Sequence, residues 1–296
     1  MQKIVPNLWC DHNAKQAADF YVSTFPDGKI NATSYYPDSS EEGLADFQAD
    51  LAGKELTVDF ELAGYRFIVI NADRTFTPNP SISFFFTCNS KEETDALWAK
   101  LSDSGKALMP LDKYPFSEYY GWVKDKFGFS WQLILNNPAG DWRPKIVPSL
   151  MFAQENVNKA EQAINFYTSI FHDAKSGNLA RYEKATGPAK KGSLAYGDFQ
   201  LEGEWFAAMD SGVDQDFTFS EAISLMVNCQ TQAEIDDLWT KLSAVPESEQ
   251  CGWLKDKYGV SWQITPANMD ELMKTPGAFA RMMKMHKLDI AGLQSE

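Results

Sequence analysis

Histidine is nearly missing from this chain. Three occur in 296 residues, His12, His172 and His286, too few and too scattered for a histidine-rich metal centre. Cysteine is scarce as well. Cys10, Cys88, Cys229 and Cys251 form no C-x-x-C, which removes the zinc knuckle and the thioredoxin-type pair and predicts buried, reduced thiols. No run of about 18 apolar residues occurs, so no membrane span is expected. The start, MQKIVPNLW, has neither a basic opening nor an apolar h-region; no secretion signal is expected, and the cytoplasm is the default compartment. Positive charge is also short: 27 Lys and Arg stand against 41 Asp and Glu, a net charge of −14. That balance argues against nucleic acid, which wants a basic surface. It serves solubility and is compatible with a cationic or metal-associated ligand. Finally, no G-x-G follows a strand-like run and opens a helix-like one, so the usual nucleotide-binding turn is absent from the sequence.

What is present is a repeat. GWVKDKFGFSWQ at 121–132 returns as GWLKDKYGVSWQ at 252–263, with nine of twelve letters identical and the other three apolar in both. KIVPNL at Lys3 returns as KIVPSL at Lys145, DFELAG at Asp59 as DFQLEG at Asp198, and LWAKLS at Leu97 as LWTKLS at Leu238. The period of about 140 residues marks a duplicated domain, not a solenoid. The expected division is 1–137, a linker 138–144, a second domain 145–268 and a helical tail 269–296. Within each copy the cycle runs twice. A short strand (4–10) leads to a helix (13–24) with Ala14, Ala17, Ala18 and Tyr21 on one stripe. Strands follow, among them TVDFEL, which alternates Val58, Phe60 and Leu62 with Thr57, Asp59 and Glu61. SISFFFT, a helix over 91–102, YYGWVKD and SWQLIL repeat the plan.

The strings KIVPNLW, FYVSTFP, DFELAG, FSEAISLMVNC, CGWLKDKYGVSWQITP and MMKMHKLDIAGL resemble the vicinal oxygen chelate superfamily, which includes the glyoxalases, bleomycin resistance proteins and extradiol dioxygenases. The resemblance points to its PhnB-like branch, labelled 3-demethylubiquinone-9 3-methyltransferase, and covers nearly the whole chain. It implies an α+β fold of tandem glyoxalase-like domains, each of two βαβββ modules whose sheets form half-barrels around a cleft. Single-copy members dimerise; here the copies are expected to pair within the chain or, alternatively, in a homodimer. The superfamily's activities are diverse, and the resemblance does not choose among them. Methyl transfer is not expected, for want of the nucleotide-binding turn.

In the catalytic members, the resemblance implies a divalent metal held by side chains from the first and last strands of each module. Counted onto this chain, those places fall on Pro6, Ser83 and Gln132, on Pro148, Ser224 and Gln263, and within 69–71 and 208–210. Proline offers no side-chain donor, and hydroxyls and amides are weak ligands for zinc, nickel or iron. No metal and no cofactor are therefore expected.

Each copy's cleft is expected to hold a carboxylate beside neutral hydrogen-bonding groups: Asp59 and Glu61 with Ser83 and Gln132 in the first, Asp198 and Gln200 with Ser224 and Gln263 in the second; alternatively, the Asp59 strand turns its polar face to water. In the repeated string, Gly121 and Gly252 read as bend or bulge sites, and Lys-Asp-Lys-aromatic-Gly reads as a hairpin turn. Trp131 and Trp262 should pack on helices while the adjacent glutamines meet the cleft. Trp122 and Trp253 are candidates for stacking on a ligand, with core packing as the alternative. Segment 111–121 has no full counterpart in the second copy and reads as a lid or wall, so the two clefts should differ. The tail should dock on the acidic body, with Phe279, Met282, Met283 and His286 on one stripe. Three functions stay open: a metal-independent binder of an aromatic or cationic small molecule, a superfamily enzyme (lyase, isomerase or dioxygenase) using a displaced metal or a carboxylate such as Asp59, and a scaffold with vestigial clefts. Catalytic residues are not identified at this level.

Overall fold

The computed structural model describes residues 2–295. The first module contains β1 (Ile4–Asp11), α1 (Ala14–Thr24), β2 (Lys29–Tyr35), β3 (Glu55–Leu62) and β4 (Tyr65–Ala72). The second has β5 (Ile82–Cys88), α2 (Lys91–Ser102), β6 (Lys106–Tyr114), β7 (Ser117–Lys124) and β8 (Ser130–Leu135). The second copy gives β9 (Ile146–Phe152), α3 (Ala160–Ile170), β10 (Lys175–Arg181), β11 (Leu194–Leu201) and β12 (Glu204–Asp210). Its last module has only β13 (Ile223–Cys229), α4 (Gln232–Leu242), β14 (Trp253–Lys255) and β15 (Ser261–Pro266). Three modules are thus βαβββ, and the fourth lacks one strand.

The modules pair across the copies. β1 runs antiparallel to β13, joining the first and fourth modules into a seven-stranded sheet A in the order β14-β15-β13-β1-β4-β3-β2. β5 runs antiparallel to β9, joining the second and third into an eight-stranded sheet B, β10-β11-β12-β9-β5-β8-β7-β6. Pairing within one chain is therefore the arrangement adopted. Neither sheet closes into a barrel; each has two edge strands.

Alternation gives each sheet two chemically different faces. Ile4, Leu8, Phe60, Phe67, Leu225 and Trp262 of sheet A share one core with Phe84, Phe86, Trp131, Leu150, Phe199 and Phe206 of sheet B and with the four main helices. The opposite faces carry separate small clusters, Val5, Ile68, Ile70 and Ala72 on sheet A and Tyr120, Trp122 and Met151 on sheet B. These outward faces, called open faces below, are where a ligand would meet each sheet.

The repeated string explains its own letters. Gly128 and Gly259 adopt φ of +92° and +87°, so the turn takes a conformation that side chains resist. Asp125 folds back into that turn, accepting the amides of Phe127 at 2.9 Å and Phe129 at 3.1 Å. Its other oxygen accepts the Tyr21 hydroxyl at 2.7 Å and the Trp131 indole N–H at 2.9 Å. Asp256 does the same for Tyr167 and Trp262 at 2.7 and 2.9 Å. Burial pushes both carboxyls up, against the pull of these hydrogen bonds. Trp131 packs on Tyr21 and Phe25 at the end of α1, as expected of an indole facing a helix. Gly121 lies in regular pairing with β8, which runs from Tyr120 to Lys124, and opposite an irregularity on its other side, where β6 shifts register between Met109↔Trp122 and Asp112↔Tyr120. Its hydrogen is needed because a Cβ there would lie 2.5 Å from the Trp98 ring of α2.

Helix starts follow two recipes. α2 and α4 are capped locally, Ser90 and Thr231 each accepting the amide three residues on from Glu93 and Glu234. α1 and α3 are capped from the sheet, Ala14 N–H donating to Asn71 and Ala160 N–H to Asp210. The tail is not one helix. It forms α5 (Met269–Leu272), α6 (Ala278–Met282) and α7 (Ile290–Gln294), with non-helical chain between them. That chain stands in for the missing strand: the amides of Cys251 and Gly252 donate to the carbonyls of Met285 and His286 at 2.8 and 2.7 Å. Phe279 packs on the Tyr36–Leu44–Leu51 cluster of the first module, so the tail docks on its own body, as expected.

Candidate ligand clefts

The two open faces are built to one plan. On sheet B the strand registers align Asp198, Ala207, Ser149, Ser83 and Ser130 in one transverse row across five strands. On sheet A the equivalent row is Asp59, Ile68, Asn7, Ser224 and Ser261. One pleat repeat away lie Trp122, Gln132, Phe85 and Val147 on sheet B, and Trp253, Gln263, Met226 and Val5 on sheet A. The glutamine bridges its two rows: Gln132 Nε2 donates to Ser83 Oγ at 2.8 Å and Gln263 Nε2 to Ser224 Oγ at 2.7 Å.

All ten residues expected from the sequence lie on open faces, but they do not share one space. Ser83, Trp122, Gln132, Asp198 and Gln200 belong to sheet B; Asp59, Glu61, Ser224, Trp253 and Gln263 belong to sheet A. The expected grouping by copy, Asp59 and Glu61 with Ser83 and Gln132, and Asp198 and Gln200 with Ser224 and Gln263, is corrected by the exchange of modules between copies, which sets Ser83 and Gln132 on the sheet of Asp198 and Gln200, and Ser224 and Gln263 on the sheet of Asp59 and Glu61. Pro6 and Pro148, reached by counting, share the helix face with Ile4, Leu8, Ile146 and Leu150; the open-face residues are the next ones, Asn7 and Ser149. Asn71 and Asp210 are spent on helix starts. Among the described residues no group of three or more His, Cys, Asp or Glu side chains is gathered as a metal would require.

The carboxylates of both rows are paired. Asp59 accepts from Arg66 Nε at 2.7 Å and from Asn31 at 2.9 Å. Asp198, buried, accepts from Arg143 Nε and Nη2 at 2.9 and 2.7 Å, while that guanidinium lies 3.9 Å from the centre of the Trp205 ring. Glu61 pairs with Lys29 at 3.1 Å. Gln200 lies beside Trp205 in the ladder, at the outer end of the row.

Sheet B differs from sheet A in its walls. Tyr120 has Cys251 as its counterpart in the repeat, and its hydroxyl donates to Gln132 Oε1 at 2.6 Å, fixing the amide. Burial holds that phenol well above its usual range. The β6–β7 hairpin, absent from the fourth module, brings Tyr114 and Phe116 into stacked contact, 5.6 Å between centroids, with Tyr120 edge-on to both. Segment 111–121 is thus a wall. Between this hairpin and the linker lies a half-open cavity of about 710 Å³, with Thr87 and Ile134 of the sheet and Asn137 and Arg143 of the linker region in its lining. Deeper in, Trp122 packs with Tyr120 and Met151 and is 8% exposed, and its Nε1 has no partner; neither do Ser149 Oγ and Ser130 Oγ. Trp253 of sheet A is more open. Sequence reasoning missed Asn7, Ser149 and Ser130, whose only signal was the two-residue period once β1, β9 and β8 are aligned.

A second, shallower concavity sits at the end of sheet A, lined by Asp11, His12, Asp73, Arg74 and Thr75. Its histidine and arginine are engaged by carboxylates, and Asp73 accepts the Thr75 amide. His12 lies between Asp11 and Asp50 at 2.7 and 2.6 Å, contacts that raise its pKa, and Asp11 also accepts from Arg74.

Paired βαβββ modules, crossed sheets and two open faces make up a glyoxalase-like fold. The chain belongs to the 3-demethylubiquinone-9 3-methyltransferase family, whose model matches residues 2–134 and again 144–265. A putative 3-demethylubiquinone-9 3-methyltransferase, the PhnB protein from Bacillus cereus, is 36% identical over 46% of this chain and 100% of its own, with a TM-score of 0.40. Glyoxalase I from Zea mays is 11% identical over 96% of this chain and 98% of its own, with a TM-score of 0.51. A mutant form of that maize enzyme is 10% identical over 92% of this chain and 95% of its own, with a TM-score of 0.52. These last two show the shared fold alone. No curated protein matches the chain.

Proposed function

We propose that the protein binds a small aromatic molecule on the open face of sheet B, without chemistry of its own, and that sheet A serves chiefly as its structural partner. The observation that carries this reading is the cavity of about 710 Å³ between the β6–β7 hairpin and the linker, within the size range of small-molecule sites and walled by stacked Tyr114 and Phe116. The enzymatic alternative draws less support. Asp59 and Asp198, the carboxylates placed to act as bases, are each engaged by an arginine, which occupies lone pairs a base would need. Methyl transfer is disfavoured too, since none of the four strand-to-helix turns contains glycine. Four buried, unpaired thiols suit a reducing compartment, and we place the protein in the cytoplasm.

Ligand-observed NMR with an aromatic fragment set, run on the wild-type chain and on Thr87→Trp, tests the site. The large side chain fills part of the cavity, so the wild-type hits should vanish while the melting temperature stays within a few degrees. Hits that survive Thr87→Trp, or a complete lack of hits with wild type, would overturn the assignment to sheet B.

A further inference from the structure

The loops joining the modules of each copy align as TFTPNPSIS (75–83) and DFTFSEAIS (216–224). Each lays one phenylalanine across an open face. Phe76 meets Trp9 edge-on at 4.9 Å between centroids, and Phe217 packs against the Tyr120–Trp122–Met151 cluster. Phe217 is held from both sides: Gln154 donates to the carbonyl of Gln215, Asn79 to that of Thr218, and Phe219 is buried against Phe152. Tyr114 and Ile134 line the cavity and also pack against the cluster that Phe217 covers, so cavity and cluster adjoin. That cluster contains the unpartnered Trp122 Nε1, and Ser149 Oγ, also unpartnered, lies on the same open face.

We propose that Phe217 is a displaceable plug over an inner extension of the sheet B cleft, and that this extension takes a neutral, planar aromatic molecule whose oxygen acceptor receives the Trp122 indole N–H. The inference rests on the ligand site proposed above and adds its chemistry. A buried donor with no acceptor carries its full desolvation penalty, and a carbonyl or ether oxygen would relieve it. Phe217 and the ligand ring are chemically alike, so one replaces the other against Met151 and Tyr120 without exposing apolar surface. The carboxylates beside the cleft already have cations, Asp198 and Asp141 sharing Arg143 and Glu118 pairing with Lys113, so a cation would have to compete for them, and an unpaired charge is costly to bury. The cationic ligand weighed from composition is therefore set aside. The face of sheet A does not offer the same chamber: the position of Tyr120 is taken by Cys251, whose amide is tied to the tail.

Titration calorimetry on the full chain with three ligands of one shape tests this: coumarin, which carries a lactone carbonyl; naphthalene, which has no acceptor; and N-methylquinolinium, which is cationic. Coumarin should bind about fivefold to tenfold tighter than naphthalene, the range one net hydrogen bond gives, and N-methylquinolinium weakest. Phe217→Ala should tighten coumarin several-fold, and Trp122→Phe, which deletes the N–H, should bring the coumarin-to-naphthalene ratio close to one. An unchanged ratio in Trp122→Phe, or preference for the quinolinium, overturns the ligand class while leaving the site decided by Thr87→Trp. Unchanged coumarin affinity in Phe217→Ala overturns the plug. Should Trp122→Phe not fold, the ratio measured in Phe217→Ala decides, and a value near one overturns the proposal.

Discussion

At the scale of single residues, two buried carboxyls do most to explain the chain. Asp125 satisfies a phenol, an indole and two turn amides at once, and the phenol comes from 104 residues away. Asp125→Ala should strand Tyr21 and Trp131, a loss on the order of 3 kcal/mol at roughly 1–3 per orphaned group; Asp125→Asn, which keeps an acceptor, should lose less. Urea melts of the two variants measure the difference. In the sequence this aspartate stood between two lysines in an expected hairpin turn, with nothing to mark it as buried. Only the long-range Tyr21 contact buries it, and no local pattern encodes that. Glu204 is the second case. Its Oε1 accepts the amide of Ile4 at 3.2 Å and that of Lys3, its Oε2 is buried without a partner, and burial pushes its pKa from 4.5 up to about 7. The fold favours the neutral acid. Its contribution is therefore complete below about 4.5 and is lost as pH rises through about 7, on the order of 3 kcal/mol in all. Melting temperatures taken from pH 5 to 8 should fall in the wild type, and Glu204→Gln should flatten that part of the fall.

Among elements, strands and helices were legible wherever period and capping agreed. The face of each strand was legible too, which is why Asp59, Asp198 and the serine and glutamine positions all reached open faces. Partnership between strands was not. The side-chain period says which way Ser83 points but nothing about whether its sheet is completed by β9 or β13, since both are apolar runs of the same kind. The lost strand of the fourth module shows how an element can be replaced by irregular chain once its hydrogen bonds are met. Truncation after Pro266 should leave the Cys251 and Gly252 amides unpaired and uncover the Tyr36–Leu44–Leu51 cluster. Limited proteolysis should then cut first within 36–54, whereas the full chain resists there. Gly121→Ala, which drives a methyl into Trp98, should lower stability by about 1–3 kcal/mol, as overpacking does.

For the molecule as a whole, the decisive fact is that neither copy owns a sheet. Separately made 1–137 and 145–296 would each expose the edges of two half-sheets, β1 and β5 in one and β9 and β13 in the other, and bare edges seek partners. Mixed, they should assemble one to one, seen as a single heterodimeric species by light scattering; two well-folded monomers that ignore each other would contradict the crossed pairing. A single-copy polypeptide that pairs with itself is bound by its twofold axis, so whatever improves one recess is imposed on the other. Covalent fusion lifts that constraint. Here one recess has a tyrosine and a full hairpin wall where its twin has a cysteine and a length of tail, so one side can specialise while the other is free to serve as pure architecture.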